Sequence, residues 1–118
     1  MLPVCVQTIF VRDLRAATAF YTGALGYEVK ATYGPCIAQL RTGSTTLVLQ
    51  ELDGAEAGAG PGTVLCFQTE DIAAAMRSVR ESGGELLHET PQRCPVGVFA
   101  SFRDPGGAVQ QLLQFDPS

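Results

Sequence analysis

The feature that most constrains this chain is that its pattern occurs twice. Asp13 and Asp71 each precede a helical apolar stripe and lie 58 residues apart; Gly26 and Gly84, which follow the stripes, are also 58 apart. In "VRDLRAATAFYTGALGYEV" the stripe is Leu14, Ala17, Tyr21 and Leu25, and in "TEDIAAAMRSVRESGGELL" it is Ile72, Ala75, Met76 and Val79. The 3–4 residue spacing predicts one helix in each half. Each aspartate is placed to cap a helix N-terminus, with Gly23 or Gly26 ending the first helix and Gly83 or Gly84 the second. An alternating run precedes each helix, "VCVQTIFV" and "TVLCFQT". Three more follow, "YEVKATY", "CIAQLR" and "TTLVLQE" in one half, "GELLHET", "VGVFASFR" and "AVQQLLQF" in the other. Period-two alternation is the mark of a half-buried strand.

The reading is therefore βαβββ twice, an α+β chain of two modules over residues 1–52 and 63–118, joined by a Gly/Ala-rich linker at 53–62. One helix covers only one face of a four-stranded mixed sheet. The other face needs cover, and the sibling module is the natural source. With 118 residues, 46% hydrophobic and 17% charged, the chain fits one packed domain and not a disordered one.

A net charge of −4 and a single lysine, Lys30, give no basic surface for phosphate, so a nucleic-acid partner is not expected. The N-terminus "MLPVCVQTIFVRD" alternates like a strand and has no basic leader or cleavage signal, and no run is long and apolar enough for a membrane span. The expected location is the cytoplasm, with no membrane partner. The four cysteines, Cys5, Cys36, Cys66 and Cys94, form no C-x-x-C pair, and His88 is the single histidine. A Cys/His zinc site is not expected, and the thiols read as reduced and mostly buried.

Two motifs then carry a family likeness. "VRDLRAATAFYTGALGYEV" and the hairpin "FRDPGGAVQQLL" resemble the Asp-Leu…Phe-Tyr…Leu-Gly opening and Asp-Pro-x-Gly closing of the vicinal oxygen chelate superfamily, which includes glyoxalases, bleomycin-resistance proteins and extradiol dioxygenases. The resemblance spans nearly the whole chain and implies curved, cup-like sheets. It also implies a metal held by His and Glu on the first and last strand of each module. Carried over residue by residue, those positions fall on Val6, Gln50 (or its neighbour Leu49), Val64 and Gln111. Valine offers no lone pair, and two neutral amides do not balance a dication, so no metal and no other cofactor is expected.

What remains is an apolar cup with a few directed amides, the description of a small-molecule pocket. Alternation extends its wall from Val6 to Thr8 and Phe10, from Val64 to Cys66 and Gln68, from Gln50 to Val48, and from Gln111 to Val109, Leu113 and Phe115. Each of these can equally be packing between modules. A planar or aromatic ligand would stack on Phe10 or Phe115 while Gln50 and Gln111 orient its polar groups. His88 can be a general base or a plain strand residue, Cys66 a nucleophile or a small buried hydrophobe, Arg93 an anion contact or a solvated loop residue, and Tyr21 reads as core. No catalytic residue is assigned.

The leading expectation is a metal-independent small-molecule-binding protein of the glyoxalase/bleomycin-resistance type. A lyase or isomerase of the same fold working without the usual metal is the first alternative. An interaction module whose cup is filled by side chains is the second. A homodimer is expected, because the resemblance allows modules to pair across chains.

Overall fold

The computed structural model describes residues 1–43, 45–52 and 62–117. The chain forms two units, one of Val6–Val64, the other of Met1–Cys5 together with Leu65–Ser118. The linker expected at 53–62 lies outside the described residues except for Gly62. Among the described residues no helix is long and apolar enough to cross a membrane.

The first unit runs β1 (Val4–Val11), α1 (Leu14–Leu25), β2 (Glu28–Tyr33), β3 (Ile37–Arg41), β4 (Thr46–Glu51). Its strands stand in the order β2-β3-β4-β1, antiparallel except for the β1/β4 pair. That is the expected βαβββ unit. Asp13 caps α1 by accepting the Ala16 N–H at 3.1 Å, and Gly26, at φ 75°, closes it by donating to the Thr22 carbonyl. A left-handed residue at this position costs glycine least. α1 packs on β2, β3 and β4. No residue of α1 is fully buried, however, and Leu25, expected on the stripe, is 54% exposed beside Phe20 at 60%.

The second unit continues with β5 (Gly62–Gln68), α2 (Ile72–Glu81), β6 (Glu85–Leu86), β7 (Gln92–Cys94), β8 (Gly97–Arg103) and β9 (Val109–Phe115). The order is β5-β9-β8-β6, with β7 also paired to β8. α2 buries Ile72, Ala75 and Met76 against Ala100 and Leu112, flanked by Phe67, Val98 and Phe102. Ala100 and Leu112 alternate with their neighbours, so one face of this sheet belongs to α2 and the other carries Phe99, Ser101, Gln111 and Leu113.

One detail settles the end of α2 on the first of the two expected glycines, and a second differs from the sequence expectation. First, α2 ends one position earlier than the 58-residue offset implies. Gly83, at φ 99°, takes the left-handed position, with bonds from Gly84 N to Val79 O at 2.8 Å and from Gly83 N to Arg80 O at 3.3 Å. This paired closure is the Schellman arrangement, whereas α1 ends on a single bond. Second, "GELLHET" supplies only a two-residue strand, and "PQRCPVG", not among the expected strands, contributes β7. The cause is local: after Leu87 N donates to Ser101 O, the next donor of β8, Ser101 N, is taken by the side chain of His88 rather than by a carbonyl. The ladder breaks there and resumes beyond Pro91.

The closing hairpin follows from Asp104. Its Oδ1 accepts from Gly106 N and Ala108 N, each at 2.9 Å, and Gly107 takes φ 100°. An aspartate that accepts from its own turn is the reason Asp-Pro-x-Gly folds as it does.

Candidate functional site

In the first unit the register Thr8↔Val48 and Phe10↔Gln50 puts these four side chains on one face, joined across β3 by Gln39 and Ile37. Leu49, fully buried, lies on the other face beside Ala38, so Gln50 rather than Leu49 belongs with Phe10. Thr8 stands 58 residues before Cys66. Its partner Val48 therefore occupies the register position that Gln111 holds opposite Cys66, with Gln50 two residues further along the same face. Phe10 is 2% exposed and Thr8 is buried, while Val6, Val48 and Gln50 are half-buried.

In the second unit Cys66, Gln111 and Ser101 are successive cross-strand partners on β5, β9 and β8. They form a polar row across the face that α2 does not cover, bordered by Leu113 and Phe99, both buried. The Cys66 thiol donates to Gln111 Oε1 at 3.2 Å. Ser101 is fully buried, and its Oγ has no hydrogen-bond partner among the described residues. His88 lies on the same side, its imidazole edge-on to the Phe99 ring at 5.5 Å, with Nδ1 accepting from Ser101 N at 3.1 Å. An accepting Nδ1 assigns the ring proton to Nε2. The imidazole therefore presents a donor, which disfavours the general-base alternative.

The other glutamines of β9 have structural work. Gln110 Oε1 accepts from Leu65 N at 2.8 Å, just where the β5/β9 ladder, which starts at Cys66, has no carbonyl for it. Gln114 Oε1 accepts from Ile72 N, an otherwise unpaired donor in the first turn of α2. Gln68 is half-buried, its backbone N–H bound to Pro3 O. Val64 is buried; Phe115, at the end of β9, is 38% exposed. Arg93, read as an anion contact or a solvated loop residue, is exposed but belongs to a strand. It sits on β7 and grips both carboxylate oxygens of Asp116, at 3.0 and 2.9 Å. That grip holds the Asp116 carboxyl below its ordinary value, through the hydrogen bonds first and the guanidinium charge second.

Sequence reasoning passed over Ser101, Phe99 and Gln114. A signal for Ser101 was present: in "VGVFASFR" a lone serine alternates with Phe99 on the strand face away from the apolar Val98, Ala100 and Phe102.

Of the positions carried over from the resemblance, Val6 and Val64 are aliphatic and Gln111 is an amide, while the register makes Val48 rather than Gln50 the counterpart of Gln111; among the described residues no three His, Cys, Asp or Glu side chains cluster as ligands would. Neutral amides and aliphatic carbons do not fit a divalent ion.

The family model described as the glyoxalase/bleomycin resistance protein/dioxygenase superfamily matches residues 4–112. The chain belongs to this superfamily. No curated protein sequence matches it. Among solved structures, this glyoxalase-superfamily chain is similar to a hypothetical protein from Bacillus halodurans C-125 (TM-score 0.81, 16% identity, 99% of this chain and 96% of that one). It is also similar to methylmalonyl-CoA epimerase from Mycobacterium tuberculosis (TM-score 0.76, 24% identity, 97% and 88%). A third match is the Streptomyces coelicolor methylmalonyl-CoA epimerase in complex with 2-nitronate-propionyl-CoA (TM-score 0.75, 24% identity, 97% of both chains). At these identities the likeness is one of fold, and a superfamily fold hosts many reactions.

Proposed function

We propose that the protein binds a small organic molecule without a metal, in the manner of the glyoxalase/bleomycin-resistance type, on the sheet faces its helices leave free. The observation that carries this reading is the Cys66–Gln111–Ser101 row, a line of polar groups set between buried Phe99 and Leu113. A mostly apolar surface with a few fixed polar groups is what orients an organic ligand. Gln68, Leu113 and Phe115 would extend that wall in the second unit, Val6, Thr8, Phe10, Val48, Gln50 and Val64 would form a corresponding surface in the first, and an aromatic ligand would suit either. Structurally similar proteins include one in complex with a CoA ester, which favours a carbonyl-bearing ligand.

That similarity also favours a second reading, an isomerase working without the usual metal. Against it stands the shortage of acid–base groups. The carboxylate that the second unit carries on this face, Glu85, is ion-paired with Arg103 at 2.8 Å, and His88 presents a donor. We further propose a homodimer, in keeping with the exposed apolar side chains Phe20, Leu25 and Val29. Light scattering at tens of micromolar giving a single-chain mass excludes it.

The test of the main reading is a thermal-shift screen with aromatic antibiotics, small ketones and CoA thioesters, each with and without EDTA, beside elemental analysis. Stabilisation that persists in EDTA, with no stoichiometric metal, is expected. About one Ni, Zn, Fe or Mn per chain, lost in Gln111→Ala, overturns it.

A further inference from the structure

The polar groups around Ser101 share one property: each leaves a donor hydrogen unmatched. Gln111 Oε1 is already taken by the Cys66 thiol, so the amide has its Nε2 hydrogens to offer. His88 Nδ1 is taken by Ser101 N, so the imidazole offers Nε2–H. The Ser101 hydroxyl, fully buried, has its proton and no acceptor among the described residues. Ser101 and Gln111 are direct cross-strand partners, whose Cβ atoms stand about 4.5–5.5 Å apart. His88 reaches the backbone of Ser101 itself. Two donors, on Ser101 and Gln111, thus stand side by side on a face that is otherwise phenylalanine and leucine, with the imidazole at the far edge of the same strand.

We propose that Ser101 Oγ–H and the Gln111 amide together hold the carbonyl oxygen of an uncharged ligand, such as a ketone, ester or thioester. This rests on the small-molecule reading above and names its ligand class. An acceptor suits the pair because the Ser101 hydroxyl proton and the Gln111 amide hydrogens are what the fold leaves unmatched. The absence of charge follows from the neighbours. Both donors are neutral, and Arg103, the cation on the same strand face, is ion-paired to Glu85. An ionised carboxylate would lose its hydration here with no opposite charge to replace it. A carbonyl loses far less and gains the two bonds. Ser101 is fully buried in the ligand-free chain, and the half-buried Gln111 side chain beside it, with three rotatable bonds, is the group that moves to admit the oxygen while its amide hydrogens stay turned to it. An unpartnered buried hydroxyl is unfavourable for folding alone, and a ligand oxygen relieves it.

The experiment uses the full chain and three matched probes: 2-acetylnaphthalene, 2-ethylnaphthalene and 2-naphthoate, titrated with 15N-labelled protein by NMR. The ketone is expected to bind about tenfold tighter than the hydrocarbon, one to two net hydrogen bonds' worth. Its shifts should centre on the Gln111 side-chain amide and the Ser101 backbone amide. In Ser101→Ala and in Gln111→Leu that preference disappears while the hydrocarbon binds as before. Ser101→Ala should also leave Tm unchanged or raise it, because the hydroxyl satisfies nothing in the fold. Equal binding of ketone and hydrocarbon to the wild type overturns the donor site but leaves the pocket reading standing. So does a fall in Tm in Ser101→Ala, which would give the hydroxyl a structural partner. The naphthoate binding tightest overturns the uncharged class. If none of the three shifts any resonance of this face, the small-molecule reading falls as well.

Discussion

His88 Nδ1 accepts a hydrogen bond from the backbone N–H of Ser101, so a side chain stands where a strand carbonyl would be. The bond separates β6 from β7 along one edge of β8 and fixes the orientation of the imidazole over Phe99. His88→Phe keeps the ring contact and removes the acceptor. It should destabilise the protein by about 1–3 kcal/mol, the cost of a buried donor left unpaired. His88→Asn, whose amide oxygen can accept, should recover part of that. Urea unfolding gives the energies, and hydrogen exchange at the Ser101 amide locates them. Equal stability of wild type and His88→Phe would mean that the bond contributes nothing.

The three glutamines of β9 should separate by function. Gln110→Ala strands the Leu65 N–H and Gln114→Ala strands the Ile72 N–H, so each should cost about 1 kcal/mol with ligand affinity unaffected. Gln111→Leu should behave oppositely. Leucine suits a face shared with Leu113 and Phe99, so folding is kept, while a ligand bonded to the amide loses roughly tenfold in affinity. Phe10→Ala is not a comparable probe of stacking. At 2% exposure Phe10 is core, and its truncation should cost about 3–5 kcal/mol. Denaturant titrations of the four variants, alongside ligand titrations, test the division.

How much of this could be read from the sequence depends on the range of the interaction concerned. Both helices, their aspartate caps and the Asp104 turn are local; the 58-residue repetition made the helices and caps legible, and the Asp-Pro-Gly-Gly motif the turn. The alternation of β9 also put Gln111 on the face away from α2. What escaped was set by partners distant in sequence. Nothing near His88 announces that its ring replaces a carbonyl for a residue 13 positions on. Gln110 and Gln114 are equally silent until β5 and α2 are brought beside them. The Gly83 closure departs from the repeat because α2 ends on two bonds and α1 on one, a difference of geometry that glycine content alone does not reveal.

Two glycines should respond in opposite directions. A Cβ at Gly97 would overlap the Gln114 carbonyl oxygen and meet Phe115 Cα at 2.9 Å, both backbone atoms of the neighbouring strand. Gly97→Ala must therefore push β8 from β9 and should cost about 1–3 kcal/mol or more. Gly23, inside α1, has nothing within 4 Å of its would-be Cβ. Gly23→Ala should stabilise by about 0.5–1 kcal/mol through helix propensity. Thermal melts of both variants check the pair, and a neutral Gly97→Ala would contradict the strand spacing.

The last expectation concerns pH. Arg93 and Asp116 form a two-point ion pair that fastens β7 to the residue following β9. Asp116 is held below its ordinary value of 3.8 in the folded chain, by the hydrogen bonds first and the Arg93 charge second. A carboxylate depressed on folding adds stability that is whole above the ordinary value and is lost as pH falls through the lower, folded one. The pair should thus be insensitive to pH from neutrality down to the ordinary carboxylate range, and should open only below it. The pair is exposed, so salt should weaken it and its effect on global stability should be small. Carboxyl 13C titration should give Asp116 a midpoint below 3.8 that returns to the ordinary value in Arg93→Gln. A midpoint identical in the two proteins would show that the contact does not persist in solution.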